Sequence, residues 1–69
     1  MKNRLKIARA ELDITQEELA KRIGVSRQTI NAVESGRYEP STVLALKMAQ
    51  VFGKSVEEIF TLDDDDRLF

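Results

Sequence analysis

The chain predicts an all-α fold, a compact five-helix bundle over residues 1–62 followed by an acidic tail over residues 63–69. Three observations carry this. Side chains suited to capping recur at the head of each run: Thr15 with Glu18, Ser26, Ser41, and Ser55 with Glu58. Glycine stands where three of the runs stop, at Gly24, Gly36 and Gly53. Between these marks the apolar residues fall at helical rather than alternating spacing.

The first helix is predicted from about Asn3 to Leu12, with Leu5, Ala8 and Leu12 as its inward stripe and Arg9 beside that stripe. Thr15 and Glu18 form a capping box for the second, roughly Gln16 to Ile23, with Ile14 and Leu19 spaced as a hydrophobic staple. Gly24 ends it. Ser26 then caps a third helix, roughly Arg27 to Ser35, with Val25 and Ile30 spaced for a second staple. Pro40 discourages helix at Glu39, so Ser41 opens the fourth, about Thr42 to Phe52. Leu44, Ala45, Leu46, Met48, Ala49 and Phe52 supply its burial. Ser55 with Glu58 starts a short fifth helix ending at Phe60.

A link as short as Gly24-Val25-Ser26 cannot turn two helices antiparallel and forces a steep crossing. Ala20 supplies the small residue such a crossing needs, and Leu19, Ile23, Val25, Ile30 and Val33 supply its apolar side. This is the helix-turn-helix arrangement, whose second helix reads the DNA major groove. The residues left outward on that helix are Arg27, Gln28, Asn31 and Ala32, a donor-rich face free of carboxylates. A merely solvated face would mix acids with bases.

Gln16, Ala20, Gly24, Ile30, Val33, Glu34 and Gly36 stand where the Cro/phage-repressor (XRE-type) helix-turn-helix family carries its signature. With the phrases ITQEELA and SRQTI, and the segment from Glu34 through Gly36 and Tyr38 to Pro40, the chain resembles that family's small stand-alone regulators from about Asn3 to Leu62. The resemblance implies a lambda-repressor-like DNA-binding domain. It implies that Arg9 pairs with Glu34 as a structural clamp, the alternative for Arg9 being a phosphate contact. It implies that Gln16 contacts backbone phosphate and buttresses a reading side chain, and that Phe60-Thr61-Leu62 forms a short strand against the N-terminus.

On DNA, Arg27 and Gln28 take the first positions of the reading helix. Arg matches guanine O6 and N7, and Gln matches adenine N6 and N7. Asn31 follows as a polar reader and Ala32 as a thymine-methyl contact, while Thr29 looks sideways. Arg27 touching phosphate alone, or Gln28 bracing a neighbour, stay open at this point. Thr15, Gln16, Ser26, Thr29, Ser35, Arg37 and Tyr38 are expected to hold phosphates and set register rather than sequence. So small a reader covers few base pairs, so a homodimer on a near-palindromic operator is expected, with Val56, Ile59, Phe60 and Leu62 as its seam. With no separate sensing domain expected, a signal would act through dissociation, a partner protein or degradation.

Sixty-nine residues make one thermodynamically marginal domain. The chain holds no cysteine and no histidine, so neither a disulfide nor the usual zinc and haem ligand sets can reinforce it; no cofactor or metal is expected. The net charge of −1 hides an asymmetry. Residues 1–38 sum to +3 and residues 39–69 to −4, so the motif lies in the basic half. No apolar run has membrane length and no secretory block opens the chain, which predicts a cytoplasmic protein, nucleoid-associated when on DNA. Asp63 to Asp66 reads as a self-repelling, solvated block; Leu68 and Phe69 beyond it either fray or fold back over the seam. Two rival readings remain, an antitoxin paired with a toxin and a protein-interaction adaptor that does not touch DNA. Catalysis is not expected, for want of nucleophile, base, phosphate-cradling loop or substrate pocket.

Overall fold

The computed structural model describes residues 1–68. In order they form β1 (Lys2–Asn3), α1 (Leu5–Leu12), α2 (Gln16–Ile23), α3 (Arg27–Glu34), α4 (Thr42–Phe52), α5 (Val56–Ile59), β2 (Phe60–Thr61) and a 3-10 turn (Asp64–Asp66). The helix starts follow the capping chemistry. The hydroxyls of Thr15, Ser26, Ser41 and Ser55 accept from the backbone N–H of Glu18, Thr29, Leu44 and Glu58. Of these four, Ser55 has the reciprocal box, Glu58 Oε1 accepting from Ser55 N at 3.0 Å. That backbone donor, with the Ser55 hydroxyl, holds the Glu58 carboxyl below its ordinary pKa. Glu18 does not return to Thr15; it accepts from Arg22 at 3.0 Å, one turn along α2.

Gly24 ends α2 at φ +78°, and its N–H and that of Val25 both donate to the Ala20 carbonyl, at 2.9 and 3.0 Å. A Cβ there would meet nothing within 4 Å, so the requirement for glycine is torsional, not spatial. The resulting turn swings α3 across α2, and Leu19, Ala20, Ile23, Ile30 and Val33 meet in one core with Leu5, Ala8, Leu44, Met48, Phe52, Ile59 and Phe60. Leu5, Leu19, Ile30, Met48 and Ile59 are fully buried at its centre.

Several expectations are corrected. Helix α1 begins at Leu5, not Asn3, because Asn3 pairs antiparallel with Phe60 and Lys2 with Thr61. Leu12 shares the stripe of Leu5 and Ala8 but is the last helical residue, where nothing covers it, and it is exposed. Leu46 is also exposed, since steps of 100° carry it away from the arc of Leu44, Ala45, Met48 and Phe52. The expected seam of Val56, Ile59, Phe60 and Leu62 does not form one surface. Ile59 and Phe60 are spent in the protomer's own core, Val56 is packed against it, and Leu62 alone of the four is exposed.

The acidic block is not merely solvated. The Met1 ammonium donates to Asp63 Oδ2 at 2.6 Å and lies 3.2 Å from Asp66 Oδ2. Opposite charge brings those two carboxylates onto the N-terminus; their pull raises the pKa of the amine, Asp63 first. Leu68 lies open to solvent and does not fold back; Phe69 lies outside the described residues. Among the described residues no helix is long and apolar enough to cross a membrane.

Candidate nucleic-acid interface

Helix α3 is held from behind at both ends. At its start Ser26 Oγ accepts from Thr29 N at 3.2 Å and lies 3.0 Å from Thr29 Oγ1. Ser26→Ala should therefore cost about 1 kcal/mol of stability, read as a fall in thermal midpoint with the helical spectrum retained. At its end Glu34 takes a fork from Arg9, Nε to Oε2 at 2.9 Å and Nη2 to Oε1 at 2.8 Å, while Arg9 Nη1 donates to the Ile14 carbonyl at 2.9 Å. The Arg9 and Glu34 side chains are only 15% and 10% exposed. Hydrogen bonding to Glu34 holds the Arg9 pKa above its ordinary value, so the guanidinium stays charged throughout. Arg9 is thus committed to a structural clamp.

Asn3 completes that anchorage and was not singled out from sequence. Its Nδ2 donates to the Val33 carbonyl at 3.0 Å and the Glu34 carbonyl at 3.3 Å, and its Oδ1 accepts from Leu5 N at 3.1 Å. One side chain therefore satisfies the last turn of α3 and the first of α1 together. The only local signal was an amide two residues before an apolar helical run, which suggests a cap for α1 and says nothing of α3.

With its inner face so fixed, α3 turns Arg27, Gln28 and Asn31 outward as exposed side chains, with Ala32 half-buried beside them. These four line one shallow concavity together with Gln16, at the start of α2, and Arg37, just past α3. Gln16 also borders an adjoining hollow with Arg9, Thr15, Glu17 and Arg27. Arg27 and Gln28 are exposed, and among the described residues neither makes a side-chain hydrogen bond within the chain.

The residues expected to set register divide. Thr15 and Ser26 use their hydroxyl oxygens as acceptors for helix caps; this leaves the Thr15 proton to donate outward, while Ser26 shares one proton with Thr29 Oγ1, and either hydroxyl of that pair can be its donor. Ser35 instead donates its proton to the Ala32 carbonyl at 3.2 Å. Thr29 and Tyr38 are not in the concavity; they lie on the other flank of α3 with Val25, Val43 and Lys47. Arg37 faces Asn31, a pairing that periodicity along α3 could not show.

Such a helix, buttressed behind and donor-rich in front, matches known proteins. The model of the helix-turn-helix family matches residues 5–59. The chain belongs to the helix-turn-helix family. Among its relatives is an uncharacterised HTH-type transcriptional regulator of Methanocaldococcus jannaschii, 56% identical over 66 residues, covering 96% of this chain and 100% of that protein. An uncharacterised HTH-type transcriptional regulator of Bacillus subtilis is 42% identical over 66 residues, covering 96% of this chain and again the whole of the relative. The transcriptional repressor of the cryptic phage CTXphi in Vibrio cholerae is 33% identical over 57 residues, covering 83% of this chain and 51% of the repressor. Among solved structures, a hypothetical transcription factor from Neisseria superposes with a TM-score of 0.73 at 30% identity, covering 78% of this chain and 61% of that one. The family is one of DNA-binding transcriptional regulators and not of enzymes.

Proposed function

We propose that this helix-turn-helix protein is a homodimeric repressor that reads a near-palindromic operator by laying α3 in the major groove. The observation that carries the reading is the outward face of Arg27, Gln28, Asn31 and Ala32, unobstructed and flanked by Gln16 and Arg37 in one concavity. Arg27 and Gln28 are the base readers for guanine and adenine edges, Asn31 and Ala32 read one turn on, and Thr15, Gln16, Ser26 and Arg37 hold flanking phosphates, while Ser35, its proton on the Ala32 carbonyl, braces Arg37. Thr29 and Tyr38, on the far flank of α3, meet backbone rather than bases. A cytoplasmic location, with the protein on the nucleoid when bound, belongs to the same proposal.

The twofold follows from information. One α3 spans too few base pairs to select a site, and two related by an axis double the sequence read. Selection of bound fragments from random DNA, followed by the mass of the complex in sedimentation, tests this. The expected result is an inverted repeat with half-site centres about 10–10.5 base pairs apart, carrying two copies. A single copy on an asymmetric site would overturn the dimer, and no selected motif would overturn specific binding. Repression itself is read by transcription in vitro from a promoter overlapping the selected site.

A further inference from the structure

The carboxamide of Asn31, on the exposed face of α3, is already half engaged. Arg37 Nη2 donates to Asn31 Oδ1 at 2.7 Å, and Arg37 Nε donates to Ser35 Oγ at 3.0 Å. Ser35 Oγ in turn donates to the Ala32 carbonyl, and the backbone N–H groups of Arg37 and Tyr38 donate to that same oxygen at 2.9 and 3.2 Å. The guanidinium is therefore pinned to the end of α3 through both its main chain and its side chain. A guanidinium offers donors and no acceptor, so the amide atom facing it has to be the oxygen. The Asn31 NH2 group, on the other arm of the amide, is left without a partner among the described residues.

This matters for what Asn31 can read. Asparagine recognises adenine with both arms, the oxygen accepting from N6 and the NH2 donating to N7. Arg37 holds one of the two lone pairs of Oδ1 in a charge-assisted bond and fixes the oxygen toward itself, so adenine N6 would have to share an acceptor whose direction is already set. We infer that Arg37 is a positioning residue that turns Asn31 Oδ1 toward itself and presents the NH2 group to the groove, so that Asn31 favours acceptor edges, guanine O6/N7 or thymine O4, over adenine. Arg37 uses only part of its donor set on Asn31 and Ser35, and the remaining N–H groups stay available to a phosphate. The contact that holds the backbone thereby also decides a base. This inference rests on α3 being the reading helix.

The test compares sequence motifs selected from random DNA by the wild-type chain, Asn31→Ala, Arg37→Lys, and the double variant. Lysine keeps the charge for phosphate but lacks the planar fork that grips Asn31 and Ser35 together. Asn31→Ala marks the base position that Asn31 reads. At that position the wild type should favour guanine or thymine, and Arg37→Lys should shift the ratio toward adenine by roughly tenfold. Every other position should stay as it was, and the double variant should show no shift beyond Asn31→Ala. If the wild type selects a sharp motif and Arg37→Lys leaves the marked position unchanged, or lowers affinity equally for all sequences, Arg37 is a phosphate contact alone and the inference fails. If the wild type selects no motif, the groove reading of α3 fails and takes this inference with it.

Discussion

Glu34→Ala is expected to lower the folding free energy by about 3 kcal/mol, a large share of what a domain this small possesses. Glu34 receives both arms of the Arg9 fork while the two side chains are nearly sealed from water. Truncation leaves the guanidinium charged in a half-dry setting with the Ile14 carbonyl as its remaining recorded partner. The cost is mostly that stranded charge, not the net worth of the pair, since desolvation offsets much of the attraction. Arg9→Met combined with Glu34→Leu should therefore recover most of the loss. Urea unfolding of the wild type and both variants at neutral pH measures it as a shift in midpoint at unchanged slope. A single variant that loses less than about 1 kcal/mol would place the pair among ordinary surface bridges.

The second large effect concerns DNA. Arg27→Ala and Gln28→Ala should each relax preference at one base position, and the two positions should differ, with about 1–3 kcal/mol of discrimination lost at each. Both side chains are exposed and make no hydrogen bond within the chain among the described residues, so the fold should survive either change. That separates reading from stability, which Glu34→Ala does not. Binding titrations on the wild-type site and its single-base variants give the discrimination directly. If neither substitution alters the selected motif, these residues are not the readers. A loss uniform over all sequences, with a flatter salt dependence, would mark Arg27 as a phosphate contact instead.

Much of the geometry of the candidate site is legible in the sequence, because the signals that build it are local. Thr15, Ser26, Ser41 and Ser55 each cap a backbone N–H three residues along, and Gly24 closes its helix onto Ala20. Such contacts span a few residues and can be read from spacing. The outward set of Arg27, Gln28 and Asn31 followed from the helical period and from which side carries Ile30 and Val33. The Arg9–Glu34 clamp spans 25 residues and came from family resemblance, not from the residues themselves.

What eluded sequence reading depends on which distant segments meet. The role of Asn3 requires β1 to pair with β2 and to pass the end of α3, 30 residues away in the chain. The same pairing draws Ile59 and Phe60 inward and removes them from the expected seam. The four aspartates looked like a block that only repels itself, until the fold set the Met1 ammonium beside Asp63 and Asp66.

Helix positions, the turn between α2 and α3, and the chemical character of the outward face of α3 were written in residues three or four apart, because caps and periodicity act over one turn of helix. How α3 is anchored at its far end and which apolar side chains remain exposed were settled only when the elements packed. Those outcomes rest on directional bonds between segments that no local pattern brings together, and on burial, which belongs to the assembled core rather than to any one helix.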